Sequence, residues 1–281
     1  MTTSRTWLVT GASSGFGLAL SRELLARGHR VAATARHPAD IRRLAEIASE
    51  DRLLPLKMDI TDNRQIESVV AGAVQRFGAI DVLVNNAGYG FLSTIEEAGD
   101  ADVRRQFDTN VFGPAAMMRA VLPHMRAAGK GLVINFSSTA GTRGFAGSGY
   151  YSASKAALEA LTEALAAEAG ELGIRAMIVC PGPFRTDFFG RSMQLPATEI
   201  ADYATTLAQR RSHVAASGTQ GGDPVRAARI IVDTVEGGKL PMRLVLGGRA
   251  LPTMRQALET KIADIEHSRQ VAPLADFPED A

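Results

Sequence analysis

The sequence predicts a single doubly wound α/β domain, residues 1–281, built around a seven-stranded parallel sheet. Three observations favour this fold class. Short apolar runs rich in β-branched residues alternate with amphipathic stretches along the whole chain. The runs are mostly apolar on both faces, which is typical of strands that helices cover on both sides. The length of 281 residues suits one large core.

The strand-like runs are 7–10, 30–35, 53–58, 82–85, 132–136, 176–179 and 243–246. Between them, apolar residues recur at helical spacing, as in 15–27 and in 62–77, where Thr61 or Asp62 is expected to cap the helix. Right-handed crossovers would place the C-terminal ends of all these strands at one edge of the sheet, where ligands bind.

Two segments depart from the regular alternation. Residues 187–223 hold two short apolar pieces followed by a run of small and polar residues. We interpret this stretch as a substrate lid over the open edge of the sheet, and the alternative is a disordered surface insertion. Residues 248–281 form a C-terminal extension in which Leu251, Leu258 and Ile262 recur at the spacing of a terminal helix.

The composition excludes several classes of protein. Lys and Arg number 31 and Asp and Glu 30, so the charge gives no argument for nucleic acid or an anionic membrane as a partner. The one cysteine, Cys180, excludes an intrachain disulfide and a Cys-based metal cage. The histidines show no metal-ligand spacing, so no metal is predicted. No apolar run approaches the roughly 20 residues of a membrane span. With no secretory signal at the N-terminus, we expect a cytoplasmic protein.

A glycine-rich turn follows the first strand, in the run TGASSGFG that ends at Gly17. Gly11 allows the sharp turn, Gly15 lets the backbone approach a phosphate, and Gly17 lets the helix pack close to the sheet. The N-terminus of the helix would offer free N–H groups to a pyrophosphate. A tight structural turn is the alternative. Because the turn joins a strand to a helix at the start of an alternating chain, it predicts a Rossmann-type dinucleotide site.

The end of the second strand bears on which dinucleotide binds. An acidic residue there would bind the adenine ribose and indicate NAD, but Ala35 stands at that point and Arg36 follows. The Arg36 guanidinium suits a 2′-phosphate, and Ser13 could add a hydroxyl, so we predict NADP (NADPH) over NAD. The alternative for Arg36 is a solvated loop arginine. Asp59 could accept a hydrogen bond from the adenine amino group, or it could cap the next helix.

Polar chemistry is densest after the fifth strand, at Ser137 and Ser138, and soon afterwards at Tyr151 and Lys155. If a helix begins near Tyr150, Tyr151 and Lys155 are one turn apart on the same face. A phenol with a pKa near 10 is a poor acid–base catalyst at neutral pH, and a neighbouring ammonium would lower that pKa. A solvated surface pair is the alternative.

With these motifs in order, the sequence resembles the short-chain dehydrogenase/reductase family, in its shorter single-domain branch. The resemblance covers residues 6–248 and rests on TGxxxGxG at 10–17, NNAG at 85–88, YxxxK at 151–155 with Ser138 before it, and the Pro-Gly pair after the sixth strand. It implies that the catalytic residues are Tyr151 as acid or base, Lys155, Ser138 as the group that polarises the carbonyl, and Asn110 in a proton relay.

The resemblance also implies a set of cofactor-binding positions that follow the strands in turn. These are Gly11, Ser13, Ser14, Gly15, Phe16, Gly17, Arg36, Asp59, Ile60, Asn86, Ala87, Gly88, Tyr151, Lys155, Pro181, Gly182 and Thr186. Asn86, Ala87 and Gly88 are also expected to brace the central sheet.

The substrate is less closely defined. Phe145, Phe184 and Phe188 lie in segments expected near the nicotinamide, and with Ser138 they are our candidate substrate residues. A pocket of this kind favours a hydrophobic ketone, aldehyde or alcohol, and the glycine run with Arg36 resembles the steroid- and retinol-dehydrogenase side of the family. Reduction of a 3-oxoacyl thioester would need a basic patch, for which Arg143 and Arg191 are the candidates.

Alternatives to this enzyme are a catalytically silent NADP-binding regulator or scaffold on the same fold, and a lyase or epimerase. The four catalytic positions argue against the regulator. The alanine-rich stretches 102–128 and 151–170 would permit close pairing of helices across a two-fold axis, and the family pairs them in this way, so we expect a homodimer or a homotetramer.

Overall fold

The computed structural model describes residues 4–277, and strands and helices alternate through them. The strands are β1 (Thr6–Val9), β2 (Arg30–Ala35), β3 (Leu53–Lys57), β4 (Val82–Asn85), β5 (Gly90–Phe91), β6 (Gly131–Phe136), β7 (Ile174–Pro181), β8 (Met193–Gln194) and β9 (Arg243–Leu246). The helices are α1 (Gly15–Ala26), α2 (Asn63–Phe77), α3 (Asp100–Phe107), α4 (Gly113–Ala128), α5 (Gly149–Ala169), α6 (Ala204–Ala215), α7 (Pro224–Glu236) and α8 (Ala250–Glu266).

The main sheet has seven parallel strands in the order β3-β2-β1-β4-β6-β7-β9. The strand order reverses between β1 and β4, and in such sheets ligands bind beyond the carboxyl ends of the strands at the point of reversal. This confirms the predicted doubly wound α/β fold and its seven strands. The short strands β5 and β8 pair separately, also in parallel.

Alternate residues of the strands point into two separate cores, one on each face of the sheet. Trp7 and Val9 of β1 belong to the core that α1 and α7 cover, whereas Leu8 between them belongs to the core beneath α2 and α4. This alternation follows from the two-residue repeat of a strand. It explains why β1 is buried at every position.

The ends of helix α2 are determined by the residues that cap it. The carboxylate of Asp62 accepts hydrogen bonds from the backbone N–H groups of Arg64 (2.9 Å) and Gln65 (3.3 Å), which begins the helix. Gly78, with φ of 82°, ends it in the left-handed conformation that glycine adopts without strain. Of the two caps that the sequence leaves open, the structure therefore selects Asp62.

Helix α6 lies outside the elements that the sequence predicts. Residues 187–223 contain α6 and β8 as well as short 3₁₀ turns, and α7 follows them directly. The predicted terminal helix is present as α8, and its Leu258 and Ile262 are exposed.

Across residues 4–277, no helix has the length and apolar character needed to cross a membrane.

Candidate active site

The predicted site residues lie where strands of the main sheet end. The glycine turn follows β1, Arg36 follows β2, Asn86 follows β4 and Ser138 follows β6. Because these strands are parallel, their carboxyl ends lie along one edge of the sheet. The fold therefore brings together residues that are far apart in sequence.

Tight packing defines the glycine turn. Gly11 and Gly15 have φ angles of 67° and 52°, which favour glycine. A Cβ on Gly17 would overlap the carbonyl oxygen of Gly11 and fall 2.5 Å from Nδ2 of Asn86. The start of α1 therefore lies against the turn with no space for a side chain at this position.

The turn is held to β4 by hydrogen bonds. Asn86 donates from Nδ2 to the carbonyl oxygens of Thr10 (2.9 Å) and Gly11 (3.1 Å). The buried Thr10 hydroxyl accepts from the backbone N–H groups of Asn86 and Ala87, both at 3.0 Å, and lies 3.2 Å from the carbonyl oxygen of Val84. This role of Thr10 was not predicted, although its place at the start of the TGxxxGxG motif could have indicated it.

The N-terminus of α1 is chemically suited to a pyrophosphate. Ser14 precedes the helix but makes no capping hydrogen bond with its side chain, and the first turn carries no acidic residue. By contrast, Asp62 and Asp223 cap α2 and α7 with their carboxylates. The first N–H groups of an α-helix have no partner within the helix, so those of α1 are available to an anion. The residues present therefore fit a dinucleotide.

Basic side chains lie beside the turn on the β2 side. Arg36 is exposed at the end of β2. Arg43, from the 3₁₀ turn Pro38–Leu44, donates from Nη2 to the carbonyl oxygen of Ser13 at 3.3 Å. Arg43 was not among the predicted site residues. The basic character of the stretch after β2 was the signal for it, but the contact with Ser13 depends on the tertiary fold.

The end of β3 holds Asp59 in a local turn. Its Oδ1 accepts hydrogen bonds from the backbone N–H (2.9 Å) and the hydroxyl (2.7 Å) of Thr61. Asp59 is therefore not the cap of α2, which is Asp62. Ile60 is buried against Gly113. A Cβ added to Gly113 would fall 2.7 Å from Cγ1 of Ile60.

Tyr151 and Lys155 lie one turn apart in α5, as predicted. Nζ of Lys155 lies 5.8 Å from the centroid of the Tyr151 ring and donates a hydrogen bond to the carbonyl oxygen of Phe136 at 2.8 Å. Ser138 begins the 3₁₀ turn Thr139–Gly141, where its hydroxyl accepts from the N–H of Ala140 at 3.1 Å. Ser138, Tyr151 and Lys155 therefore form one cluster between β6 and α5.

Burial sets the pKa values of this cluster. It raises the pKa of Tyr151 to about 12, and hydrogen bonding with the Ser138 side chain only partly opposes the rise. The net shift is opposite to the lowering that we predicted from Lys155, because burial dominates it. Burial also lowers the pKa of Lys155 to about 8, against the field of Glu159, which raises it.

Asn110 lies in a π-helical segment, Asp108–Phe112, between α3 and α4. It is buried and holds the backbone of Tyr89 by accepting from its N–H (3.2 Å) and donating to its carbonyl oxygen (3.0 Å). A Cβ on Gly88 would lie 3.0 Å from Oδ1 of Asn110 and 3.6 Å from Nζ of Lys155. Asn110 and Lys155 therefore both lie beside Gly88.

The end of β7 reaches back to the glycine turn. The N–H of Gly182, which follows Pro181, donates to the carbonyl oxygen of Leu246 at 2.9 Å. A Cβ on Gly15 would lie 3.5 Å from Cβ of Thr186. Thr186 therefore lies at the N-terminus of α1, next to the predicted pyrophosphate position.

The three candidate substrate phenylalanines have different surroundings. The Phe188 ring lies 5.6 Å from that of Tyr151, so it is next to the predicted reaction centre. Phe184 is buried in the core, with its ring 4.9 Å from that of Phe16, so it serves packing there. Phe145 lies beneath the guanidinium of Arg143, which is 4.8 Å from its ring centroid.

Residues 187–223 contact the body of the domain beside Tyr151. β8 pairs with β5, and the N–H of Gly90 donates to the carbonyl oxygen of Ser192 at 2.9 Å. A Cβ on Gly90 would fall 2.7 Å from Cε of Met193 and 3.0 Å from Cζ of Phe188. The segment is thus packed closely onto the loop that follows β4.

No three His, Cys, Asp or Glu side chains within residues 4–277 are grouped so that they could hold a metal ion.

Comparison with known proteins agrees with this geometry. The profile of the short chain dehydrogenase family matches residues 5–195. The chain is 33% identical over 269 residues to oxidoreductase BOA17 of Botryotinia fuckeliana (strain B05.10), which covers 96% of this chain and 98% of that protein.

Solved structures share the fold. A short-chain dehydrogenase from Streptomyces avermitilis superposes with a TM-score of 0.90 at 40% identity, covering 97% of this chain and 100% of that one. A metagenomic short-chain oxidoreductase in complex with NADP superposes with a TM-score of 0.69 at 26% identity, covering 88% and 98% of the two chains. The chain described here belongs to the short-chain dehydrogenase/reductase family of oxidoreductases.

Proposed function

We propose that this protein interconverts a hydrophobic ketone or aldehyde and its alcohol, with NADP(H) as the cofactor. The observation that carries the proposal is the cluster of Tyr151, Ser138 and Lys155, which lies beside Gly88 in the loop that contacts the glycine turn. The Tyr151 phenol, with the Ser138 side chain close enough to lower its pKa and the buried Lys155 amine one turn away, is suited to move a proton to or from a substrate oxygen. Bound NADPH would supply the hydride.

In the reducing direction, the carbonyl carbon gains a hydride and the carbonyl oxygen gains a proton from the Tyr151 hydroxyl. Ser138 donates a hydrogen bond to the same oxygen and so stabilises the negative charge that develops on it. Oxidation of the alcohol runs through the same contacts in reverse, with Tyr151 accepting the proton. Both side chains lie where β6 and α5 meet.

Lys155 stabilises the phenolate that Tyr151 becomes after it gives up its proton, since its ammonium lies on the same face of α5. Asn110 would support a chain of water molecules through which a replacement proton reaches Lys155. The position of both side chains beside Gly88 supports this role.

The preference for NADP rests on two guanidinium groups, that of Arg36 after β2 and that of Arg43 beside Ser13. Arg36 is exposed at the end of β2, where an acidic residue would favour NAD, and Arg43 contacts the Ser13 backbone. Guanidinium groups bind phosphate oxygens in a bidentate manner. The NADP complex of a related short-chain oxidoreductase is consistent with this preference.

The preference for a hydrophobic substrate rests on Phe188 and Met193, which lie beside Gly90 with Phe188 next to Tyr151. The basic side chains that could anchor an acidic substrate have other partners. Arg143 stacks on Phe145, and Arg191 pairs with Asp187 at 3.6 Å. These contacts favour a neutral carbonyl compound over a 3-oxoacyl thioester.

Two further features of the proposal concern the architecture. Residues 187–223 act as the substrate lid, since they cover Tyr151 and pair with β5. Two copies of the chain pair through α4 and α5, with a dimer or tetramer as the product. Phe112, next to α4, and Leu161 of α5 are large exposed apolar residues that such pairing would cover.

The test follows the absorbance of the reduced nicotinamide with the intact protein. NADPH and then NADH are supplied with ketones and aldehydes of increasing apolar size. We expect turnover with NADPH and a kcat/KM that rises with the apolar size of the carbonyl compound. Tight binding of NADPH without turnover of any carbonyl compound would instead support a regulator, and equal use of NADH would contradict the NADP preference.

A further inference from the structure

Glu159 is a buried carboxylate that the proposed reaction does not use. It lies one turn after Lys155 in α5 and is 5% exposed. Burying a charged carboxylate costs several kcal/mol unless it is paired and hydrogen-bonded. Glu159 meets this condition through its partners, and its place one turn from Lys155 makes it a candidate for a role in the site.

Side chains from β7, from β9 and from the loop after β6 contact this carboxylate. Ser137 of the loop after β6 donates its hydroxyl to Oε1 at 2.6 Å, and Arg243 of β9 donates from Nε to Oε2 at 3.0 Å. The thiol of Cys180 in β7 lies 3.9 Å from Oε1. A Cβ on Gly141 would overlap Oε1 and fall 2.6 Å from the Ser137 hydroxyl, so the turn after Ser138 packs directly onto this pair.

The contacts of Glu159 reach both functional groups of the cluster. Ser137 directly precedes Ser138, so the hydrogen bond from Ser137 fixes the backbone that presents the Ser138 hydroxyl. Lys155 forms no direct ion pair within residues 4–277, and its Nζ is bound to a neutral carbonyl oxygen. Glu159 is the charge that acts on Lys155 against its burial.

We propose that Glu159 is a positioning residue for the reaction, which fixes the Ser137–Ser138 backbone and keeps the buried Lys155 protonated. The inference rests on the proposed function, because it acts through Ser138 and Lys155. The charges around it are few. Arg243 also pairs with Glu163 at 2.5 Å, so this arginine with its two carboxylates carries a net negative charge.

Other titratable groups near Glu159 and Lys155 stay neutral around pH 8. Burial raises the pKa of the Cys180 thiol to about 12, so this side chain on β7 is uncharged. Tyr151, on the same face of α5 as Lys155, has a pKa raised to about 12 by burial. Asn110, across from Lys155, does not titrate. Lys155 is thus the group that Glu159 shifts in this range.

The test uses Glu159→Gln, which keeps the shape of the side chain and removes its charge. The chain has five lysines, so a protein labelled with ¹³C at the lysine Cε carbons gives few signals, and Lys155→Met assigns the one from Lys155. We expect the titration midpoint of Lys155 to fall by about one pH unit in Glu159→Gln. The alkaline limb of the kcat/KM profile for carbonyl reduction should fall by the same amount.

Matched variants separate this role from a structural one. Glu163→Gln removes a half-exposed carboxylate from the same helix and the same arginine, and it should leave the Lys155 midpoint within 0.2 pH unit, a margin of about the precision of such titrations. Because Glu159→Asp keeps the negative charge, the titration midpoint of Lys155 in this variant should stay close to that of the wild type. Ser137→Ala keeps the charge, so it should lower kcat without moving the alkaline limb.

An unchanged Lys155 midpoint in a folded Glu159→Gln protein would overturn the inference, and so would an equal shift in Glu163→Gln. The NMR titration does not depend on turnover. If the wild-type protein reduces no carbonyl compound, the proposed function fails, whereas a shift of Lys155 in Glu159→Gln still supports the charge coupling. The two failures are therefore distinguishable.

Discussion

Arg210 and Glu97 form a bidentate ion pair in which both side chains are buried. Nη1 and Nη2 of Arg210 lie 2.8 and 3.2 Å from the two carboxylate oxygens of Glu97. Glu97 also accepts hydrogen bonds from the hydroxyl of Thr94 at 2.9 Å and from the N–H of Ile200 at 2.9 Å. The pair therefore joins α6 and the segment before it to the loop after β5.

We expect the loss of one partner of this pair to destabilise the protein strongly. Glu97→Gln leaves Arg210 as an unpaired buried charge, and the free energy of unfolding should fall by about 3–5 kcal/mol in urea titrations. Glu199→Gln is the control, because it breaks an exposed pair with Arg211 at 2.9 Å and should cost less than about 1 kcal/mol. Equal losses in the two variants would contradict the importance of burial.

The same pair predicts sensitivity to acid. The Arg210 guanidinium and backbone hydrogen bonds lower the pKa of Glu97 from 4.5 to about 2, although burial alone would raise it. A lowered pKa in the folded state stabilises the protein above pH 4.5, and this contribution is lost as the pH falls toward 2. Urea titrations of the wild type between pH 4.5 and about pH 2 should show this decline in the free energy of unfolding. The Glu97→Gln variant should lack the part of the decline that comes from protonation of Glu97. Parallel curves would contradict the assignment.

Tyr151→Phe tests the proton transfer. Removal of the hydroxyl should lower kcat by at least about 10²-fold, since general acid catalysis contributes roughly 10²–10⁴-fold. Binding of NADPH, followed by fluorescence, should persist. Tyr150→Phe is the matched control, because the neighbouring hydroxyl binds only the carbonyl oxygen of Ile95 at 3.2 Å, and it should keep most of the activity. Activity that survives in Tyr151→Phe would refute the role.

Arg36→Ala and Arg43→Ala test the recognition of the 2′-phosphate. Loss of a charged hydrogen bond should raise the Kd for NADPH roughly 10- to 100-fold in each variant, while the Kd for NADH stays unchanged. Arg255→Ala removes the same charge from the exposed pair with Glu259 in α8 and serves as the control. If all three variants weaken NADPH alike, net charge and not direct contact sets the affinity.

Gly17→Ala tests the tight packing of the turn. The added methyl group would overlap the carbonyl oxygen of Gly11, so the turn must shift, and affinity for NADPH measured by calorimetry should fall at least about 10-fold. Gly170→Ala, at a position where a Cβ meets no atom within 4 Å, is the control and should bind NADPH like the wild type. Normal affinity in Gly17→Ala would show that the turn tolerates displacement.

Local patterns predicted most of the fold because the signals that define it are local. Seven apolar runs became the seven strands of the main sheet, and the glycine turn lies between β1 and α1 as expected. The predicted strand at 176–179 extends to Ile174–Pro181 in the structure, since pairing with β6 and β9 continues at both of its ends.

What the sequence did not predict depends on contacts between distant segments. Arg210 and Glu97 are 113 residues apart, and the Thr10 hydroxyl bonds to residues more than 70 positions away. The pKa of Tyr151 was predicted in the wrong direction because the burial of its ring is decided by tertiary packing. Arg43 and Glu159 were missed for the same reason, since each is defined by its partner.

Gly90 determines how closely residues 187–223 approach the loop that follows β4. Its missing side chain lets Met193 and Phe188 rest on the loop that continues from Asn86–Gly88. If residues 187–223 act as the proposed substrate lid, substitutions there should alter which molecules are accepted, provided that Met193 and Phe188 keep their contact with this loop. Exchange of residues 187–223 between relatives would then transfer substrate selectivity. A larger residue at position 90 would displace the Phe188 ring from Tyr151 and widen the entrance to the site.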